Sequence, residues 1–113
     1  GDAGFWYHIA EIETAVRWNI NSIIVVNNNS AGNQSKTGFD RAYGGTQTEE
    51  AKKMWNFTKV NFANIANEIG ALGLRVEKPG QFGGALDQAL EAKRPVIIDV
   101  VTDVDAIAPA AVS

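Results

Sequence analysis

Apolar positions along this chain switch between a helical and a strand period, and each switch marks an element. Phe5, Ile9, Ile12 and Val16 recur at spacings of 4, 3 and 4, one stripe along a helix. Glu13 and Arg17 form a favourable i,i+4 pair on its other side. Ile23 to Val26 is a continuous β-branched run, the pattern of a strand buried on both faces, and it runs into the amides Asn27, Asn28 and Asn29. From Ser30 to Gly45 no period is sustained, and Gly32, Gly38, Gly44 and Gly45 stand among polar residues. A long loop is expected there, of a length that in compact domains is often functional or mobile.

The second half alternates cleanly. Thr46-Gln47-Thr48-Glu49 fits a capping box ahead of a short helix from Glu49 to Trp55. Trp55 and Phe57 read either as core or as a surface closing the site against another domain. Asn61 caps a helix whose stripe is Phe62, Ile65, Ala66 and Ile69, and Gly70 ends it. Leu74-Arg75-Val76 is a short strand, and Pro79-Gly80 punctuates. A helix with Phe82, Leu86, Ala89 and Leu90 inward follows to about Ala92. Pro95 opens the last strand, Val96 to Val101, and the tail from Thr102 to Ser113 is expected to wrap the surface. Alternating strands and helices predict an α/β fold, a three-layer sandwich with a parallel sheet and helices on both faces.

Composition narrows the function. With 113 residues, 45% hydrophobic and 20% charged, the chain is one small globular domain or part of one. A net charge of -3 provides no general basic surface, which excludes nucleic acid as a partner. No apolar run reaches the roughly 18 residues of a membrane span. There is no cysteine, so disulfides and thiolate metal sites are excluded. No secretory signal is visible, and a cytoplasmic setting is the expectation. Asn-x-Ser/Thr matches at Asn28, Asn33 and Asn56 are coincidences of an Asn-rich chain. The sequence begins at Gly1 without methionine, and a strand is expected ahead of Gly1 to deliver Asp2 to the sheet edge. The chain therefore reads as truncated before its first strand, a fragment of a longer protein. Such a domain, parted from its neighbour, should expose an apolar patch that promotes self-association.

Candidate chemistry gathers at the N-terminal end. In an open parallel sheet, ligands collect at the carboxyl ends of the strands. Asp2 is expected where one strand has ended, and Asn28-Asn29 where a second ends. The backbone N–H groups of Ala3 and Gly4 open a helix, whose N-terminus favours anions, and Gly4 allows close approach of a bulky ligand. A carboxylate, amide oxygens and phosphate oxygens together form the ligand set that Mg²⁺ accepts. The same residues also read as a Gly-Asp turn and an Asn-rich loop that cap helices, which would make the chain a non-catalytic α/β binding module. His8 is the single histidine. No serine or partner carboxylate stands at a spacing that would make it a catalytic base, so it reads as a surface or packed residue. Asp99 reads as a strand-end or satisfied carboxylate. A P-loop and a Gly-x-Gly-x-x-Gly fingerprint are absent, and no lysine or arginine is placed for phosphoryl transfer.

The spacing of these residues resembles the thiamine-diphosphate signature, Gly-Asp-Gly, then 24 to 28 residues, then Asn-Asn. Here Gly1-Asp2-Ala3 opens it, with Ala3 in place of the second glycine. Closing on Asn28-Asn29 leaves residues 4 to 27, a fitting 24, whereas Asn27-Asn28 leaves 23. Glu11 to Arg17, Phe62 to Val76 and Pro95 to Val100 further resemble elements of acetolactate-synthase-like enzymes. The resemblance implies that Asp2, Asn29 and the carbonyl of Ala31 hold Mg²⁺. By position, Ala3, Gly4, Gly32, Asn33 and Gln34 line the cofactor cavity. It also implies a partner, a pyrimidine-binding domain from a second subunit that carries the activating glutamate, in a homo-oligomer acting on a small 2-oxo acid such as pyruvate. Carboligation, simple decarboxylation and aldehyde lysis share this domain. The 113 residues alone are expected to be inactive, an expectation that turnover of pyruvate by them would refute.

Overall fold

The computed structural model describes residues 1–106, so residues 107–113 of the expected tail lie outside it. Three strands, β1 (Ile23–Asn28), β2 (Leu72–Val76) and β3 (Val96–Val101), form a sheet in the order β1-β3-β2, and both pairings are parallel. Six helices accompany them among the described residues: α1 (Asp2–Trp6), α2 (Glu11–Arg17), α3 (Asn33–Ala42), α4 (Glu49–Lys53), α5 (Phe62–Ile69) and α6 (Phe82–Ala92).

Strand β3 is central because Val96 to Asp99 are all buried, with alternate side chains serving opposite faces. Ile97 packs with Ile12, Val26, Phe62 and Ala66, under α2 and α5. Val96 and Ile98 pack with Val76, Ala85 and Ala89, under α6. The expected sandwich, helices on both faces of a parallel sheet, is the fold observed. Each large side chain so buried contributes roughly 1.5–3 kcal/mol.

Several elements depart from the pattern. The stripe of Phe5, Ile9, Ile12 and Val16 does reach the core, but on two helices. Between them Tyr7 N donates to Gly4 O, His8 N to Phe5 O and Ile12 N to Ile9 O, i→i−3 bonds that tighten the chain into successive turns. The stretch expected as loop carries α3. It buries none of its residues fully and is held by Lys36 against Asp40 at 3.1 Å and over the Trp55 ring at 5.8 Å. Strand β1 is not covered on both faces: only Val26 and Asn28 are buried, while Ile23, Ile24 and Val25 are exposed. It is an edge strand, with no strand on its outer side among the described residues. Leu90 is 64% exposed instead of inward. Phe82, Ala85, Leu86 and Ala89 make the inward stripe of α6, and one further residue turns the side chain about 100° away. The cap of α4 is Thr48, whose side chain accepts from Ala51 N, not Thr46, and the helix stops at Lys53.

Helix α5 and β2 meet without a side chain between them. A Cβ placed on Gly73 would lie 1.9 Å from the Ala63 carbonyl oxygen, which only backbone movement can relieve. Overpacking of this kind costs about 1–3 kcal/mol or more. Gly73→Ala is therefore expected to lower unfolding stability by at least about 3 kcal/mol in denaturant titration. A loss of under about 1 kcal/mol would show that the α5–β2 contact is looser than this.

Candidate functional site

Where β1 leaves the sheet, alternation gives neighbouring amides opposite directions. Asn28 faces inward and is buried. Its Nδ2 donates to Asp99 Oδ1 and to Val60 O, both at 2.9 Å, and its Oδ1 accepts from Ser30 N at 3.3 Å. Ser30 has φ 55, the left-handed region that non-glycine residues seldom occupy. Asn29 points the other way, and its Oδ1 accepts from Ala31 N at 3.1 Å. The loop is then clasped by the segment after α4: Phe57 N donates to Ser30 O at 2.8 Å and Gly32 N to Trp55 O at 2.7 Å.

Asp99 anchors this arrangement and is fully buried. Besides the Asn28 amide it accepts from Phe62 N at 2.8 Å and from Arg75 Nη1. It thus lies at the N-terminus of α5, where a carboxylate is favourable. It is a satisfied carboxylate, in agreement with the sequence.

Asp2 opens α1. Its N-cap is Gly1, and no side chain caps that first turn. Asp2, Ala3, Asn29, Ala31, Gly32, Asn33 and Gln34 all line one cavity of about 540 Å³. Of the residues singled out from sequence, Gly4 is not among them. It lines a neighbouring groove with Phe5, His8 and Val25, and a Cβ there would meet nothing within 4 Å. Tyr7, Asn27 and Ser35 also line the Asp2 cavity and were missed. A signal existed for Tyr7, which follows Ala3 by four residues, one helical turn.

The donor chemistry of the cavity suits a hard cation. Asp2 is 2% exposed, and no fully buried side-chain N or O atom lacks a partner among the described residues. Asp2 lines the cavity, and its carboxylate accepts no hydrogen bond among the described residues. Asn29 Oδ1 accepts a single bond and keeps a second lone pair, and the Ala31 carbonyl accepts none among the described residues. A carboxylate, an amide oxygen and a carbonyl form an all-oxygen set that Mg²⁺ accepts and soft metals do not favour. No cluster of three or more His, Cys, Asp or Glu residues that could hold a metal occurs among the described residues. His8 is exposed, as expected of a surface histidine.

Helix α3, which carries Asn33 and Gln34, is tied down by charge. Gln47 donates to Asp40 and accepts from Trp55 Nε1 at 2.7 Å. Lys36 meets Asp40 at 3.1 Å and Asp105 at 3.2 Å. The hydrogen bonds from Gln47 and then Lys36 hold the Asp40 carboxyl below the usual aspartate range. The hydrogen bonds to Asp40 and then Asp105 hold Lys36 above the usual lysine range.

Comparison with known proteins gives this geometry a family. A sequence model described as "Thiamine pyrophosphate enzyme, C-terminal TPP binding domain" matches residues 1–100. The chain belongs to this family of C-terminal thiamine-pyrophosphate-binding domains. It is 37% identical over 108 residues to the acetolactate synthase of Bacillus subtilis (strain 168), covering 91% of this chain and 17% of that protein. It is 26% identical over 103 residues to a 2-hydroxyacyl-CoA lyase of Arabidopsis thaliana, covering 91% of this chain and 18% of that protein. The solved thiamine diphosphate-dependent 4-hydroxybenzoylformate decarboxylase of Rhodococcus jostii RHA1 superposes with a TM-score of 0.76 at 25% identity, over 91% of this chain and 19% of that one. The chain thus spans under a fifth of the length of these relatives. Among the described residues no helix is long and apolar enough to cross a membrane.

Because the folded-state pKa of Asp40 is depressed, its contribution to holding α3 is present above the ordinary aspartate value and is lost as pH falls through the folded value. Acidification below the usual aspartate range is expected to shift Trp55 emission, in a background with Trp6 and Trp18 replaced by Phe. The step should be missing from Asp40→Asn. An identical acid step in both proteins would show that α3 is held otherwise.

Proposed function

We propose that this chain is the part of a longer thiamine-diphosphate-dependent enzyme that grips the diphosphate end of the cofactor through Mg²⁺. The observation that carries the reading is the convergence of Asp2, Asn29 and Ala31 on one cavity. The Asp2 carboxylate, Asn29 Oδ1 and the Ala31 carbonyl would hold the ion. The N–H group of Ala3, in the first turn of α1 and on the cavity wall, would favour the anionic end of the cofactor. Gly32, Asn33 and Gln34, which line the same cavity, would contact it. Bound there, the cofactor supplies the carbanion chemistry, and the chain supplies placement and electrostatics.

The parent reaction in this reading is decarboxylation of a small 2-oxo acid such as pyruvate with transfer of the two-carbon unit, as in an acetolactate synthase. The level of identity to the Bacillus subtilis acetolactate synthase supports it. A lyase or 2-oxo acid decarboxylase of the same family is the second reading, supported by the relatives that bear those names. In either case the pyrimidine-binding domain and the activating glutamate come from outside these residues, from a second subunit of a cytoplasmic homo-oligomer. The exposed apolar residues of β1 together with Tyr7, Trp18 and Ile20 are consistent with a covered face in that assembly. Alone, the 113 residues do not turn over substrate.

Titration of thiamine diphosphate with Mg²⁺ into the full-length protein tests the reading. Saturable, metal-dependent binding is expected, weakened about 100-fold or more in Asn29→Ala, since even residues behind the ligands cost about 10–100-fold in metal affinity. Undiminished binding in the variant would remove Asn29 from the site.

A further inference from the structure

We infer that Asp99, acting with Arg75 through the Asn28 amide, is a positioning residue that sets where the Asn29 oxygen and the Ala31 carbonyl stand; the inference rests on the functional reading above. Asp99 lies on the buried face of β3, whereas the Asp2 cavity is lined by the outward amides Asn27 and Asn29. The connection runs through hydrogen bonds. Asn28 Nδ2 has two fixed acceptors, Asp99 Oδ1 and Val60 O, each at 2.9 Å. With both N–H bonds directed inward, the Asn28 oxygen can face only the loop, where it accepts from Ser30 N. That bond helps to hold Ser30 at φ 55, a conformation with a steric cost for a residue bearing a Cβ. The reversal at Ser30 in turn brings Ala31 N onto Asn29 Oδ1 at 3.1 Å.

Only a carboxylate at position 99 suits this network. It accepts from three donors on three different segments: the Asn28 amide, the Phe62 N–H and the Arg75 guanidinium. An amide there has a single acceptor atom. If that oxygen serves Phe62 and Arg75, its NH₂ meets the Asn28 NH₂, and the Asn28 amide must flip. The flip takes its oxygen away from Ser30 N and releases the loop that carries the ligands. The Asn28 and Asn29 amides therefore divide the work, one fastened to the core and one presented to the ion.

The test is the Mg²⁺ concentration that half-saturates thiamine diphosphate binding to the full-length protein, followed by calorimetry, with the melting temperature recorded alongside. Asp99→Asn is expected to raise that concentration about tenfold, the equivalent of one hydrogen bond. Adding Asn28→Asp recovers part of that loss, because the introduced carboxylate accepts both from the amide at 99 and from Ser30 N, although its oxygen now faces the Val60 carbonyl without a donor between them. Val60 O keeps its bond from Arg75 Nη1 at 3.3 Å in that exchange. Should Asp99→Asn fail to fold, Asn28→Ala leaves the Asp99–Arg75 pair intact and is expected to show the same tenfold loss. A lower melting temperature with an unchanged Mg²⁺ requirement in these variants, or a double variant no better than Asp99→Asn alone, would overturn the inference while leaving the functional reading standing. Wild-type protein that binds no thiamine diphosphate at any Mg²⁺ concentration would overturn both.

Discussion

A carboxylate with no exposure to solvent, Asp99, accepts hydrogen bonds from β1, from the start of α5 and from β2. Burying a carboxylate is expensive unless partners satisfy it. The cost is met here by a guanidinium, a helix N-terminus and an amide, all held by separate elements. These elements cannot move independently without leaving a buried charge unpaired. The polar centre of the sheet thus fixes the relative placement of β1, β2 and α5, while the apolar clusters on either side supply most of the cohesion.

The candidate site is a consequence of that placement. Strand alternation sends Asn28 to the core and Asn29 to the cavity, and the left-handed backbone at Ser30 brings Ala31 back beneath Asn29. On the facing side α1 begins at Asp2, with its first-turn N–H groups left uncapped by any side chain. Two elements distant in sequence therefore bring Asp2, Asn29 and Ala31 to the lining of one cavity. The chain's membership of the thiamine-pyrophosphate-binding family is what the proposed role of these residues rests on.

Much of this was legible in the residues. The strand cores and the α5 cap at Asn61 follow from period and capping chemistry, which are local signals, and the spacing from Asp2 to Asn29 from a motif that can be counted along the chain. What escaped was decided by distant contacts. Helix α3 has weak helix formers such as Gly38, Asn33 and Thr37, and the contacts of Lys36 with Asp105 and over the Trp55 ring that hold it come from distant segments. The break at Tyr7–Ala10 leaves the apolar stripe intact, so period could not reveal it. The exposure of Ile23, Ile24 and Val25 depends on what lies beside β1, which β-branched composition does not encode. The part played by Asp99 was half visible: a charge within an apolar strand signals a satisfied partner, but its link to the Asn28 amide exists only in three dimensions.

The most direct measurement is a crystal structure of the full-length protein with thiamine diphosphate and Mn²⁺ in place of Mg²⁺, read by anomalous scattering. The account predicts one strong peak within about 2.0–2.3 Å of an Asp2 carboxylate oxygen, Asn29 Oδ1 and the Ala31 carbonyl oxygen, close to the distances octahedral Mg²⁺ takes, with diphosphate oxygens completing the shell. A peak elsewhere, or a bound cofactor with Asn29 turned away from the ion, would contradict it.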